Sequence, residues 1–206
     1  MKKTILAITI LIAVFSCQST TETVSTEDAF FSPTGRMVTA ETYPTDETSR
    51  QILMIQDLVG VNKFLHKHQL IPTDNQPVVR MNRDTYYSTA VVDVSKGASI
   101  AMPEIPEGKY MSIQPVTEDH RIQAMKYGPG KFNLTTHTGT HLYLIIRLDV
   151  TFTQAEVKEI QDKMVIEANS DQKFKTLPVN KESFTEVENA LKAKMPSIVK
   201  LEGVNA

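Results

Sequence analysis

Tryptophan is absent from the 206 residues, and cysteine occurs once. A single thiol closes no intramolecular disulfide and supplies no four-cysteine metal set. Neither charge dominates: 22 basic residues stand against 24 acidic ones. That excludes the basic excess of an electrostatic nucleic-acid binder, so nucleic acid is not an expected partner. No apolar run reaches the roughly 20 residues that a helix needs to span a bilayer. No glycine-rich phosphate loop is present, and no cofactor is expected. What is present is a 41% hydrophobic share, which provides for a real core and excludes wholesale disorder. The length suits one ordinary domain with some residues left over.

The surplus lies at the N-terminus. Lys2 and Lys3 precede an apolar run over residues 5–15, interrupted only by Thr9. Its length is that of a secretory signal core, too short for a spanning helix. Cys17, the sole cysteine, follows in Val14-Phe15-Ser16-Cys17. This resembles the bacterial lipoprotein signal, in which a small residue precedes a cysteine that is lipidated and becomes the new N-terminus. Residues 1–16 are therefore expected to be a lipoprotein signal peptide, with Cys17 lipidated and the membrane its partner. Gln18 stands where the inner-membrane retention signal usually places Asp, which favours the periplasmic face of the outer membrane. Residues 17–44 read as a flexible tether: the stretch 18–28 holds six Ser or Thr and three acids and no aromatic. Phe30 and Phe31 interrupt it as candidates for docking back onto the domain.

Residues 45–206 are expected to form one domain. Ile52, Ile55, Leu58, Val59 and Leu65 recur at helical spacing, which predicts a helix over 46–68 capped at Asp46 or Thr48, with Gly60 a weak point. Short β-like runs follow over 78–81, 85–94, 99–102, 110–116, 121–125, 131–136 and 141–151, separated by turn residues. Their close spacing predicts antiparallel pairing rather than βαβ units. Two capping boxes, Thr153 with Glu156 and Ser183 with Glu186, open two closing helices, the second limited by Pro196. The expected fold class is α+β: an antiparallel β-rich sandwich or jelly-roll-like core with one N-terminal and two C-terminal helices. In the run 141–150, Leu142, Leu144, Ile146, Leu148 and Val150 share one apolar face. His141, Tyr143, Ile145, Arg147 and Asp149 share the other. Arg147 thus sits well inside a strand, where a charge needs a partner or solvent.

The densest polar cluster is Arg80-Met81-Asn82-Arg83-Asp84-Thr85-Tyr86-Tyr87-Ser88. By chemistry alone it reads as a turn or a site. Gly60-Val61-Asn62-Lys63-Phe64, Asn82 through Ser88, Asp93-Val94-Ser95-Lys96-Gly97, Gly108-Lys109-Tyr110-Met111-Ser112-Ile113-Gln114 and the late strand with its internal Arg147 resemble the bacterial family called domain of unknown function 1254. The resemblance covers about residues 45–195. It implies a β-rich, jelly-roll-like domain flanked by helices, commonly followed by a second β domain numbered 1214. This sequence is expected to be a single-domain lipoprotein form lacking that second domain. The Gly/Thr-rich loops usual in the family are shortened here over 117–139. The family brings no settled biochemical activity.

Other chemistry-bearing residues carry less. On a helix, His66 and His68 point about 200° apart and cannot chelate one ion. His137 and His141 flank Thr138-Gly139, which reads as a hairpin turn that sends them to opposite faces, so no metal site is expected. Gly97-Ala98-Ser99-Ile100-Ala101 lacks the final glycine of a nucleophile elbow. Glu118-Asp119-His120 reads as a solvated turn. The expected function is a cell-envelope lipoprotein that binds a small polar ligand or an envelope partner through Asn82, Asp84, Tyr87 and Arg147. Arg147 would grip oxygens with its planar fork, Asp84 and Asn82 would orient it, and Tyr87 would form an aromatic wall. The rival reading is a hydrolase of envelope or polysaccharide material with Asp84 as general base. A third is a degenerate relative without a site.

Overall fold

The computed structural model describes residues 30–72 and 82–201. The signal peptide, Cys17, the tether up to residue 29 and the expected strand at 78–81 lie outside, apart from the last part of the tether. That last part is folded. Strand β1, Phe31–Arg36, precedes helix α1, Tyr43–Val59. The expected tether over 30–44 is therefore corrected. Phe30 is buried, and it meets Phe31 and Phe184 edge-on with ring centroids 4.9 and 6.0 Å apart. The two phenylalanines supply the apolar surface that the preceding Ser/Thr stretch lacks.

Helix α1 begins three residues before the expected start and ends nine before the expected finish. Thr42 occupies the N-cap without a side-chain cap, and Pro44 sits in the first turn. Thr48 lies inside the helix, bonded to the Pro44 carbonyl at 3.0 Å and to His120 Nδ1 at 2.7 Å. Gly60, at φ +88°, ends the helix, its N–H donating to Gln56 O at 2.7 Å. The next apolar positions, Phe64 and Leu65, belong instead to strand β2, Lys63–Lys67.

Strands β3, Thr85–Asp93, β4, Ala98–Met102, β5, Met111–Thr117, and β6, Lys126–Tyr127, follow in turn. Then come β7, Gly130–Leu134, β8, His141–Asp149, helix α2, Gln154–Asp162, β9, Val165–Ala168, and helix α3, Lys181–Leu201. They form two antiparallel sheets, ordered β2-β3-β8-β5-β6 and β7-β4-β9. The fold class is α+β, a β-rich sandwich with one N-terminal and two C-terminal helices. Leu142, Leu144, Ile146 and Leu148 on β8 are at most 1% exposed and face Ile100, Met102 and Leu134 of the smaller sheet together with Val157 and Ile160 of α2. Each such burial contributes about 1.5–3 kcal/mol. Val150 falls beyond the strand and is exposed. The opposite face of the large sheet meets α1 through Val91, Tyr143, Ile52 and Ile55.

The Thr153–Glu156 capping box is present, with Glu156 N–H donating to Thr153 Oγ1 at 3.3 Å and Thr153 N–H to Glu156 Oε2 at 2.8 Å. In α3 the cap is Asn180, whose Oδ1 accepts the Ser183 N–H at 2.9 Å; Ser183 is already helical, and Pro196 lies within the helix. The expected hairpin at Thr138-Gly139 is a crossing from one sheet to the other, because β7 pairs with β4 and β8 with β3 and β5. The Glu118 carboxylate accepts the N–H groups of Thr140 at 2.7 Å and His141 at 2.9 Å, which replaces a facing strand. The expected strand over 121–125 reduces to a bridge between Val116 and Ile122 and the short β6. A tight turn at His120, φ +63°, turns the chain too sharply for continuous pairing.

Candidate functional site

The register of the large sheet lines up side chains in rows. Tyr87 of β3 pairs with Arg147 of β8, Arg147 with Ser112 of β5, and Ser112 with Tyr127 of β6. Directly paired residues project from the same face, so this row runs aromatic, cation, hydroxyl, aromatic. Thr85 and Asp149 make the neighbouring row, and Tyr110 closes it: its N–H donates to Asp149 Oδ2 at 3.1 Å, and its carbonyl accepts the Asp149 N–H at 2.9 Å. Gln114 lies opposite Ile145 in the next row.

These rows floor an open cavity of about 480 Å³ lined by Asn82, Asp84, Thr85, Tyr110, Gln114, Met125, Arg147 and Asp149. Three of the four residues expected from sequence, Asn82, Asp84 and Arg147, therefore converge, although they come from two segments more than 60 residues apart. Arg147 is half-buried. Its Nη1 donates to Gln114 Oε1 at 2.7 Å, and its guanidinium carbon lies 5.6 Å from the centre of the Tyr87 ring. Gln114, not Asp84, orients it. Tyr87 is buried and supports the cation rather than forming a cavity wall. Among the described residues no carboxylate forms an ion pair with Arg147. Its other N–H donors meet no acceptor there.

The acids of the cavity differ. Asp149 is saturated: Oδ1 accepts from the Thr151 hydroxyl at 2.6 Å and the Thr151 N–H at 2.8 Å, while Oδ2 takes the Tyr110 N–H. These bonds, led by the Thr151 hydroxyl, hold its carboxyl below the usual carboxylate range. Asp84 and Asn82 are exposed and have no hydrogen-bond partner among the described residues. The hydroxyl of Thr85 is buried and lacks a partner as well. Glu118 and Asp119 lie past the far end of β5, about 20 Å of strand from the cavity end. They do not join Asp84.

A second polar cluster ties α2 to the sheet. His66 on strand β2 and His68 just past its end stack with ring centroids 6.2 Å apart, which replaces the helical geometry expected for them. His66 Nδ1 shares a hydrogen bond with Ser88 Oγ at 2.8 Å; Gln161 Nε2 donates to that Oγ at 3.0 Å; His68 Nδ1 donates to Gln161 Oε1 at 2.6 Å. Burial, followed by the neighbouring His68, lowers the pKa of His66. Ser88 is 1% exposed and Gln161 fully buried, so this cluster fastens α2 to the sheet. Ser99 lies within β4 and is not on an elbow. His137 stands 3.3 Å from Asp119, and His141 donates through Nε2 to the Gln172 carbonyl at 2.7 Å. Among the described residues no group of three or more His, Cys, Asp or Glu is placed to hold a metal ion, and no helix is long and apolar enough to cross a membrane.

Several motif residues build the frame instead of the site. Asn62, at φ +60°, accepts the Asp93 N–H at 2.9 Å and donates to Ser170 O at 2.8 Å. The buried Asp93 carboxylate accepts the N–H groups of Ser95 and Gln172 at 2.9 and 2.8 Å. Burial alone would raise its pKa, but these bonds and one from Ser170 outweigh it and hold the carboxyl far below the usual range. Sequence reasoning missed Gln114, Tyr110, Met125 and Asp149 as neighbours of Arg147. The signal that could have found them is the alternation of Tyr110, Ser112 and Gln114 on one face of a strand, but which strand lies beside it is a matter of pairing.

No curated protein matches this sequence. Among solved structures, the crystal structure of the VPA0106 protein from Vibrio parahaemolyticus is similar, with 16% sequence identity and a TM-score of 0.49. The match covers 73% of this chain and 44% of that one, so this chain spans less than half the length of that protein. The family model described as "Protein of unknown function (DUF1254)" matches residues 61–171, and the chain belongs to that family.

Proposed function

We propose that this protein is a binding module of the cell envelope, anchored through a lipidated Cys17, that takes a small polar ligand bearing an acidic group in the Arg147 cavity. The observation that carries the reading is Arg147 itself: a half-buried guanidinium, fixed by Gln114 and Tyr87, with no counter-carboxylate among the described residues. Withdrawing a charge from water without a partner is costly, and a planar donor fork matches a carboxylate or phosphate in two parallel bonds. Asn82 and Asp84 offer further unpartnered polar groups beside it. The anchor and the outer-membrane location rest on the pattern of residues 1–18. The mass of the native N-terminus reads the anchor directly.

Binding is favoured over hydrolysis by the state of the acids. A glycosidase pair needs one carboxyl kept protonated as the acid. Asp149 is held ionised by its own turn, and among the described residues that line the cavity Asp84 has no other free carboxyl to work with. The test is calorimetric titration with glutarate, for the wild type and for Arg147→Gln and Arg147→Lys. Saturable binding that Arg147→Gln abolishes and Arg147→Lys weakens is the expected result. Equal binding by all three proteins would refute the proposal.

A further inference from the structure

We propose that the ligand class is an acidic saccharide, its carboxylate on Arg147 and its sugar rings on Tyr110 and Tyr127. The inference rests on the cavity being a ligand site and adds what that ligand is. Two tyrosines stand exposed at the cavity end of the sheet, Tyr110 at 39% and Tyr127 at 62%. Their rings form one unit, with centroids 6.3 Å apart and planes at 62°. Tyr110 lines the cavity, its hydroxyl donating to Ser112 Oγ at 2.8 Å, and Tyr127 continues the row of Arg147 and Ser112 beyond the rim. Exposed aromatic faces of this size are costly in water unless an apolar face covers them, and the C–H face of a pyranose does so while leaving its hydroxyls free.

The charge pattern separates a sugar acid from a simple anion. Arg147 provides one positive point for one acidic group. Asp84, unpartnered and exposed in the same cavity, accepts hydrogen bonds from hydroxyls that lie beside the acidic group held by Arg147. Asn82 can both donate and accept beside it. A ligand whose hydroxyls flank its acidic group satisfies all three residues, whereas an inorganic anion satisfies only Arg147. Adjacent strands are about 4.8 Å apart, so Arg147 on β8 and Tyr127 on β6 lie about 10 Å from each other. That is the reach of an oligosaccharide and exceeds the reach of a small carboxylate.

The test is calorimetric titration with trigalacturonate, maltotriose and glutarate, using the wild type, Tyr127→Ala, Tyr110→Ala and Arg147→Gln. Trigalacturonate should bind tightest. Each tyrosine variant should weaken it by about tenfold, and Tyr127→Ala, beyond the rim, should leave glutarate unchanged. Arg147→Gln should remove both acids. Both tyrosines are exposed, and unchanged melting temperatures of their variants confirm that the fold is kept. Glutarate binding as tightly as trigalacturonate, or trigalacturonate indifferent to Tyr127→Ala, would overturn the saccharide inference and leave the cavity reading standing. Maltotriose equal to trigalacturonate would remove the acid from the inference. No binding by any of the three would overturn both.

Discussion

His141 and Glu118 show how single side chains set the conditions under which this fold holds. Burial of His141 would lower its pKa, but the Glu118 carboxylate 3.8 Å from its ring, its bond to the Gln172 carbonyl and the charge of Asp93 outweigh it, and the pKa lies above its ordinary 6.5. For Glu118 burial works upward, but the neighbouring His141 ring and the bonds from the Thr140 and His141 N–H groups prevail, so its pKa lies below its ordinary 4.5. The raised histidine contributes stability that is full below pH 6.5 and fades as pH rises through its folded pKa. The lowered glutamate contributes stability that is full above pH 4.5 and fades as pH falls through its folded pKa. Both contributions are therefore complete between pH 4.5 and 6.5. The melting temperature of the wild type minus that of His141→Gln should be greatest at or below pH 6.5 and shrink on the alkaline side. The corresponding difference for Glu118→Gln should shrink on the acid side. Differences constant from pH 4 to 9 would show that the two groups titrate alike in the folded and unfolded chains.

Among the elements, β1 most changes the account of the domain, because it brings residues beyond the expected boundary into the fold. It docks by backbone: Arg36 N–H donates to the Pro178 carbonyl at 3.1 Å, and Asn180 N–H to the Arg36 carbonyl at 2.9 Å. Gly35 makes the approach possible, since a Cβ there would stand 2.4 Å from the Val179 carbonyl carbon. Gly35→Ala should destabilise the domain by about 1–3 kcal/mol, the usual cost of overpacking. Urea unfolding reads it, and a midpoint equal to that of the wild type would mean that β1 contributes nothing to stability. This docking was not legible in the sequence, because Ser, Pro, Thr and Gly around two phenylalanines give no strand period. The breaks at β2 and β9 were hidden for related reasons: β2 continues the apolar spacing of α1 past Gly60, and β9 is only four residues long. The long strands were legible for different reasons: β8 alternates strictly over nine residues, while β3 and β5 are β-rich runs of nine and seven residues bounded by turn residues. The turn at Thr138-Gly139 departs from the expected hairpin because the N–H groups that follow it, those of Thr140 and His141, are satisfied by the Glu118 side chain 22 and 23 residues upstream, a contact with no local signature.

On the scale of the whole molecule, the site is a product of strand order. Asn82 and Asp84 were visible as a polar cluster, and Arg147 as a charge inside an apolar strand. Their meeting, and the addition of Gln114 and Tyr110, follows from β8 lying between β3 and β5. The large sheet spends one face on the core and divides the other. At one end α1 covers Val91 and Tyr143; at the other Arg147 faces an open cavity. The central claim is that this guanidinium awaits an acidic group. The most direct measurement is the ¹⁵N–¹H resonance of Arg147 Nε, assigned by its loss in Arg147→Lys and followed through a titration with trigalacturonate. The account predicts a saturable shift of that resonance with the same midpoint as the backbone signals of Asn82 and Asp84. An Arg147 Nε resonance that stays in place while the ligand saturates other signals, or that moves only linearly with ionic strength, would contradict it.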